Sequence, residues 1–234
     1  MTLTPAEANM RALNLAEYYL LTCIDHAGRL LTQQHTIRVG LAGAVLTDLA
    51  RRGSIHVTQD LVTVDESKSV KLEAPLDSVL QIIRDSPEPQ DAEQWVNRLS
   101  RPPLMDAITK ILERNRQLVV KEKRLLGIWP RTRYILDDAY DSMDIYVRIR
   151  GTLMGRDTSL DATSWPLLHL LHSTNILSRV FPGIRHKTVK DRLGEFQRAA
   201  EELEPNMAEA LQAVENAIAE SLTATRGQAT GLGG

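Results

Sequence analysis

The chain has 234 residues, 28 basic against 30 acidic, for a formal net charge of −2, with 43% apolar but only 4% aromatic residues. That length can bury one large core or two small ones, and the composition excludes a chain that is disordered, collagen-like or coiled-coil throughout. No run nears the roughly 20 apolar residues of a membrane span, and a near-neutral charge argues against a dedicated nucleic-acid binder.

The N-terminal residues 1–13 lack a basic start followed by an apolar stretch, so no secretory leader is expected. The single cysteine, Cys23, excludes internal disulfides and cysteine zinc clusters and fits a reducing cytoplasm. Asn14 and Glu17 have the spacing of a capping box. The helix they open, Leu15 to Ile24, is apolar on nearly every side, which predicts a central position. Gly28 suits the left-handed turn that ends the segment. A second helix is expected from Thr36 to Arg52, with Gly40, Ala42, Gly43 and Ala44 letting another backbone come close.

Alternation over Ser54–Val57 and Leu61–Val64, around Thr58–Asp60, predicts a hairpin, followed by a polar loop to Glu73. Amphipathic helices are expected from Leu76 to Asp85, after an Asp91 cap, and from Pro102–Pro103 to about Arg114. The period then shortens: Gln117–Val120 and Leu125–Trp129 read as strands of a second hairpin around Lys121–Arg124. Five helices follow, at about 138–154, 160–171, 174–181, 187–203 and 206–223, and the glycine-rich residues 225–234 read as a flexible tail. The expected fold is mainly α: a single helical domain, residues 14–224, around a central apolar helix, with two short β-hairpins.

No phosphate loop, dinucleotide fingerprint, serine elbow or His-Glu-x-x-His occurs. His169 and His172 share a helical face, but their surroundings are apolar, so they read as core or half-buried histidines. Cys23 reads as a buried, inert thiol, and Asp137, Asp138, Asp141 and Asp144 as a helix start and solvated face. No enzymatic activity, metal or cofactor is expected.

One charge asymmetry stands out. Residues 114–133 hold Arg114, Arg116, Lys121, Lys123, Arg124, Arg131 and Arg133 against Glu122 alone, beside Leu125, Leu126, Ile128 and Trp129. Cations next to apolar residues suit an anionic membrane surface. Equally, alternate residues of a hairpin could face the core while the charges solubilise its other side.

Several segments, in order, resemble the Golgi phosphoprotein 3 family: Asn14–Leu21 with Asp25 and Gly28, Gly40–Leu46 with Leu49–Gly53, Pro75–Asp77, Trp95 with Leu99, Leu125–Tyr134, and Leu170–His172 with Ile176, Leu177 and Phe181. The resemblance implies a mostly helical, peripheral membrane protein on the cytosolic face, whose eukaryotic relatives bind phosphatidylinositol 4-phosphate at the Golgi. It also implies a hairpin that serves membrane contact and self-association. In those relatives the headgroup pocket uses a tryptophan before the second helix, an arginine within it, and two arginines ahead of the hairpin. Here Gln33 and Ala42 occupy the first two positions, and the last two fall near Pro102 and Met105, with Arg101 and Lys110 close by. The expectation is a degraded or altered pocket, because each lost charge-assisted bond removes roughly 1.5–3 kcal/mol. The long charged N-terminal extension of the eukaryotic members has no counterpart in the sequence.

The reading that follows is a non-enzymatic peripheral adaptor on anionic phospholipid or a phosphoinositide headgroup. The electrostatic candidates are Lys121, Lys123, Arg124, Arg131 and Arg133, with Leu125, Leu126 and Trp129 as membrane or oligomer contacts, and Arg38 and Arg101 as remnant headgroup cations. Two rivals stand beside it. One is a cytoplasmic scaffold that oligomerises or docks an unidentified protein partner through the hairpin. The other is a small-molecule binder or cryptic enzyme, with a closed apolar pocket near Trp165, His169 and His172.

Overall fold

The computed structural model describes residues 13–68, 70–125, 129–136, 139–155 and 162–230. Helix α1 (Leu15–Thr22) starts at the expected capping box: the Glu17 amide donates to Asn14 Oδ1 at 2.9 Å, and the Asn14 amide to Glu17 Oε2 at 2.8 Å. Both side chains are buried, so truncating the cap strands amides that water cannot reach. Asn14→Ala is expected to cost about 1–2 kcal/mol of stability, measured as a lowered urea midpoint with an unchanged slope.

After α1 the chain turns back through Gly28, which has φ of +73°. A Cβ there would meet the Tyr134 carbonyl oxygen at 2.7 Å. Glycine is therefore required by conformation and by proximity at once. The Tyr134 amide donates to the Gly28 carbonyl at 2.9 Å, tying this turn to the second hairpin.

Helix α2 (Gln34–Arg51) is buried at thirteen of its eighteen residues, and it is the element around which the others gather. The apolar α1 is enclosed too, but it forms one wall of that arrangement. Small residues decide the difference. A Cβ on Gly40 would lie 2.0 Å from Tyr19 Oη of α1, and one on Gly43 would lie 2.8 Å from Val214 and Ile218 on the opposite wall.

Strands β1 (Ile55–Thr58) and β2 (Leu61–Val64) pair antiparallel across Gln59 and Asp60, both with positive φ. A third strand, β3 (Gln90–Asp91), joins β2; two residues carry no readable alternation, so the sequence does not announce it. Helices α3 (Leu76–Arg84), α4 (Ala92–Leu99) and α5 (Pro102–Arg114) start close to the expected places, α4 under a capping box of Asp91 and Gln94.

The second hairpin departs from expectation. Strands β4 (Leu118–Leu125) and β5 (Trp129–Leu136) are eight residues each, and Lys121–Arg124 lie within β4. The expected turn at these residues is corrected: the connection falls at 126–128, outside the described residues. The physical reason is that Lys121–Arg124 contain no residue suited to a turn conformation. They looked like a turn because hydrophobic alternation stops where the strand leaves the core.

The remaining helices are α6 (Ala139–Leu153), α7 (Ser164–Ser173), α8 (Leu177–Val180), α9 (His186–Leu203) and α10 (Pro205–Thr230). Helix α10 continues past the expected end near Thr223, so the first part of the expected tail is helical. It packs along α2, α4 and α9. The fold is mainly α, with two small antiparallel sheets among the described residues. Trp165, Phe196, Ala200, Met207, Ala208 and Leu211 form a separate apolar cluster beside the main core.

Candidate functional site

The base of the β4–β5 hairpin is fixed from three sides. Leu118 is fully buried and Tyr134 nearly so. The Val120 amide donates to Glu113 Oε1 of α5 at 3.0 Å, and the Tyr134 amide to Gly28. Beyond this base the ladder leaves the core: Lys121, Glu122, Thr132 and Arg133 are exposed.

The register places Lys121 opposite Arg133 and Lys123 opposite Arg131. Strand alternation puts positions 119, 121, 123 and 125 on one face, with partners 135, 133, 131 and 129. That face carries the exposed Val119 and Ile135 and, beyond them, the exposed Lys121 opposite Arg133. The opposite face carries Glu122 across from Thr132, and the register continues with Arg124 paired to Pro130. Like charges directly opposite one another destabilise a ladder, and the one carboxylate of these strands sits on the other face. Neither Lys121 nor Arg133 has a carboxylate partner among the described residues.

Lys123, Arg124, Arg131, Leu125 and Trp129 therefore have assigned register positions, while Leu126 lies outside the described residues. Sequence reading missed Val119 and Ile135, which are 38% and 40% exposed. Counting period two through the charges, from 118 to 125 and from 129 to 136, would have found them.

The remaining candidates gather where α2 and α5 begin. Gln33 is the exposed N-cap of α2, and Arg101 the exposed N-cap of α5. Gln34 Nε2 lies 3.7 Å from Met105 Sδ, so these two helices meet at their first turns. Ala42 is fully buried inside α2. Arg38 is half-buried, and its Nε is enclosed without a hydrogen-bond partner. Burial, and then the neighbouring Arg38 charge, hold His35 below the usual imidazole range. A shallow cavity of about 300 Å³, lined by Arg29, Leu30, Gln34, Thr132 and Tyr134, connects this region to the hairpin base.

The histidines have structural partners. His169 is buried, with Nδ1 2.9 Å from Glu215 Oε1, which also accepts from Ser173 Oγ at 2.9 Å. Trp165 meets the His169 ring edge-on, with centroids 5.6 Å apart. Neighbouring side chains of the second apolar cluster fill the space beside this tryptophan. Burial holds His172 below the usual imidazole range; Glu215 opposes the shift, and His186 and His169 add to it. The unfolded chain takes up this proton near pH 6.5, where the native chain resists it. Stability from His172 is thus full above that pH and is lost as pH falls through the native value. His172→Gln should flatten the fall in urea midpoint between about pH 7 and 5; an unchanged slope would exclude this role, with His35 contributing in the same direction in both chains.

Cys23 is buried, and burial pushes its thiol far up, away from the reactive thiolate. Asp144 is exposed and pairs with Arg148 at 3.0 Å; Asp137 and Asp138 lie outside the described residues, and nothing is described of the Asp141 side chain. No helix among the described residues is long and apolar enough to cross a membrane. Among the same residues no three His, Cys, Asp or Glu side chains gather as a metal site would require.

A helical domain built around one glycine-bearing helix, with a basic hairpin clamped to its first loop, is the class that these features define. The chain belongs to the Golgi phosphoprotein 3 (GPP34) family, whose family model matches residues 15–220. No match was found among curated proteins.

Proposed function

We propose that this protein is a non-enzymatic adaptor that docks on anionic membranes through its β4–β5 hairpin. The observation that carries the reading is the register of the exposed Lys121 with Arg133, beside the exposed Val119 and Ile135, with Lys123 paired to Arg131 in the same ladder. In solution that face holds an electrostatic cost. Anionic headgroups relieve it, at about 1 kcal/mol per basic residue near the surface. Leu125 and Trp129 at the outer end supply the apolar contact that reaches the headgroup boundary. Arg38 and Arg101 are secondary contacts where α2 and α5 begin. With Gln33 and Ala42 at the family's headgroup positions, recognition rests on charge more than on one phosphoinositide. The protein acts on the cytosolic face of the membrane.

Co-sedimentation with vesicles of phosphatidylcholine alone, of phosphatidylcholine with phosphatidylglycerol, and of phosphatidylcholine with phosphatidylinositol 4-phosphate tests this. Binding to both anionic preparations, weakened by salt, is the expected result. Binding to the phosphoinositide alone would show that a specific pocket has been rebuilt, and equal binding to neutral vesicles would refute the charge mechanism.

A second reading draws on the strand edges. β4 and β5 pair only with each other among the described residues, and outward of Val120 and Tyr134, whose amides go to Glu113 and Gly28, their edges are open to strand addition. If no vesicle binds, and oligomers that grow with concentration disappear on deletion of the hairpin, the hairpin is a protein interface.

A further inference from the structure

A cavity of about 470 Å³ opens between the last turns of α6, the segment after α8 and the start of α9. Its floor is aromatic: Tyr146 and Phe181 stack with centroids 4.7 Å apart and planes inclined by 28°. Ile184 and the half-exposed Met154 extend the apolar surface to the rim. Two exposed cations, Arg150 and Arg185, also line it, together with Thr188 in the first turn of α9.

The charge state of this cavity sets it apart from the others described. In the cavity beside Ile83 and Trp95, Arg84 is neutralised by Glu66 at 3.0 Å. In the one at the end of α2, Arg51 and Arg52 both pair with the buried Asp48, and Glu204 lines the cavity together with Lys68. Arg29, at the hairpin base, pairs with Asp25 at 2.9 Å. Among the described residues Arg150 and Arg185 have no carboxylate partner, and none of those lining their cavity is a carboxylate. Two guanidinium groups over an apolar floor complement an anion that carries an apolar chain. Their planar donor forks match phosphate oxygens, and the volume accommodates a headgroup with the first few carbons of a chain.

We propose that this cavity binds a single phospholipid molecule by its phosphate, with Arg150 and Arg185 on the phosphate oxygens and the start of an acyl chain against Tyr146 and Phe181. The site deepens the membrane reading by adding a contact that selects one lipid molecule, yet it stands on residues that the hairpin does not use.

Titration of the full chain by calorimetry with dihexanoyl phosphatidic acid, below its micelle concentration, tests the proposal without a membrane. Saturable binding of one molecule per chain is expected, with glycerol 3-phosphate and dihexanoyl phosphatidylcholine each weaker by about tenfold or more. The double variant Arg150→Gln/Arg185→Gln should lose about tenfold or more of the affinity. Both residues are exposed, and an unchanged circular dichroism spectrum and melting temperature would verify that the variant folds. Reversing Lys121 and Arg133 to glutamate should leave this soluble-lipid affinity as it is, even where vesicle binding is lost, so failure here and failure of the hairpin reading are separable. The proposal is overturned by absent binding, by affinity unchanged in the double arginine variant, or by glycerol 3-phosphate binding as tightly as the lipid, which would make the ligand a free phosphate ester.

Discussion

Reversing one cross-strand pair, Lys121→Glu with Arg133→Glu, is expected to remove most of the binding to anionic vesicles. Each reversal withdraws one attraction of about 1 kcal/mol and adds a repulsion of similar size, so the pair shifts binding by about 4 kcal/mol, roughly a thousandfold at low salt. The two positions face each other in the ladder, and two glutamates repel across it as the two cations do. Hairpin stability is therefore matched between the two proteins, and lost binding reports the sign of the charge. Glu122→Lys, on the opposite face beside Thr132, serves as the control and should change binding far less. Partition coefficients at about 20 and 150 mM salt measure both effects, because the Debye length shortens from roughly 20 Å to about 8 Å over that range. Equal partition of the reversed variant and the parent protein would defeat the membrane reading.

The largest expected effect on stability comes from one hydrogen atom replaced by a methyl group. In Gly40→Ala the new Cβ would lie 2.0 Å from Tyr19 Oη and 2.2 Å from its Cζ. Tyr19 is fully buried, and its hydroxyl donates to Thr174 Oγ1 at 3.0 Å, which in turn donates to the Leu170 carbonyl at 2.7 Å. The ring is held by α7 behind it and cannot yield without breaking that chain of bonds. Alanine improves helix propensity by about 1 kcal/mol over glycine, but overpacking at a fixed ring outweighs this, for a net loss of about 3 kcal/mol or more. Gly43→Ala meets the ends of the Val214, Ile218 and Leu170 side chains, which can rotate, so its cost should stay near 1 kcal/mol. Urea midpoints of the two variants decide the matter; equal values would mean that Tyr19 is free to move.

Features governed by bonds within one turn of chain were legible. Asn14 with Glu17 and the Asp91 cap act through bonds three residues apart, so spacing alone reveals them. The same holds for the first hairpin, whose alternation and turn lie within ten residues. Gly40 and Gly43 were legible as sites of close approach, although Tyr19, Val214 and Ile218 as the approaching groups were not.

The basic hairpin shows where such reading stops. Its charge excess is a property of the sequence, visible without coordinates. That Lys121 opposes Arg133, on a face shared with Val119 and Ile135, depends on a register set by anchors at Glu113 and Gly28. Those anchors belong to other elements, and a one-residue slip would exchange the two faces. His169 likewise meets Glu215 across 46 positions of chain.

Sequence by itself thus determined the helical class, the capped starts, the small-residue face of α2 and the basic segment. All of these follow from local hydrogen bonding, side-chain volume and charge. Tertiary structure decided the pairing of cations whose partners lie beyond their own turn of chain. Arg29, Arg51 and Arg52 pair with carboxylates three or four positions away, whereas Arg84 meets Glu66 across 18 positions, and Arg150 and Arg185 find no carboxylate among the described residues. Neutralisation depends on distances that packing sets between side chains, and Arg84 meets Glu66 only because α3 folds back beside the loop after β2.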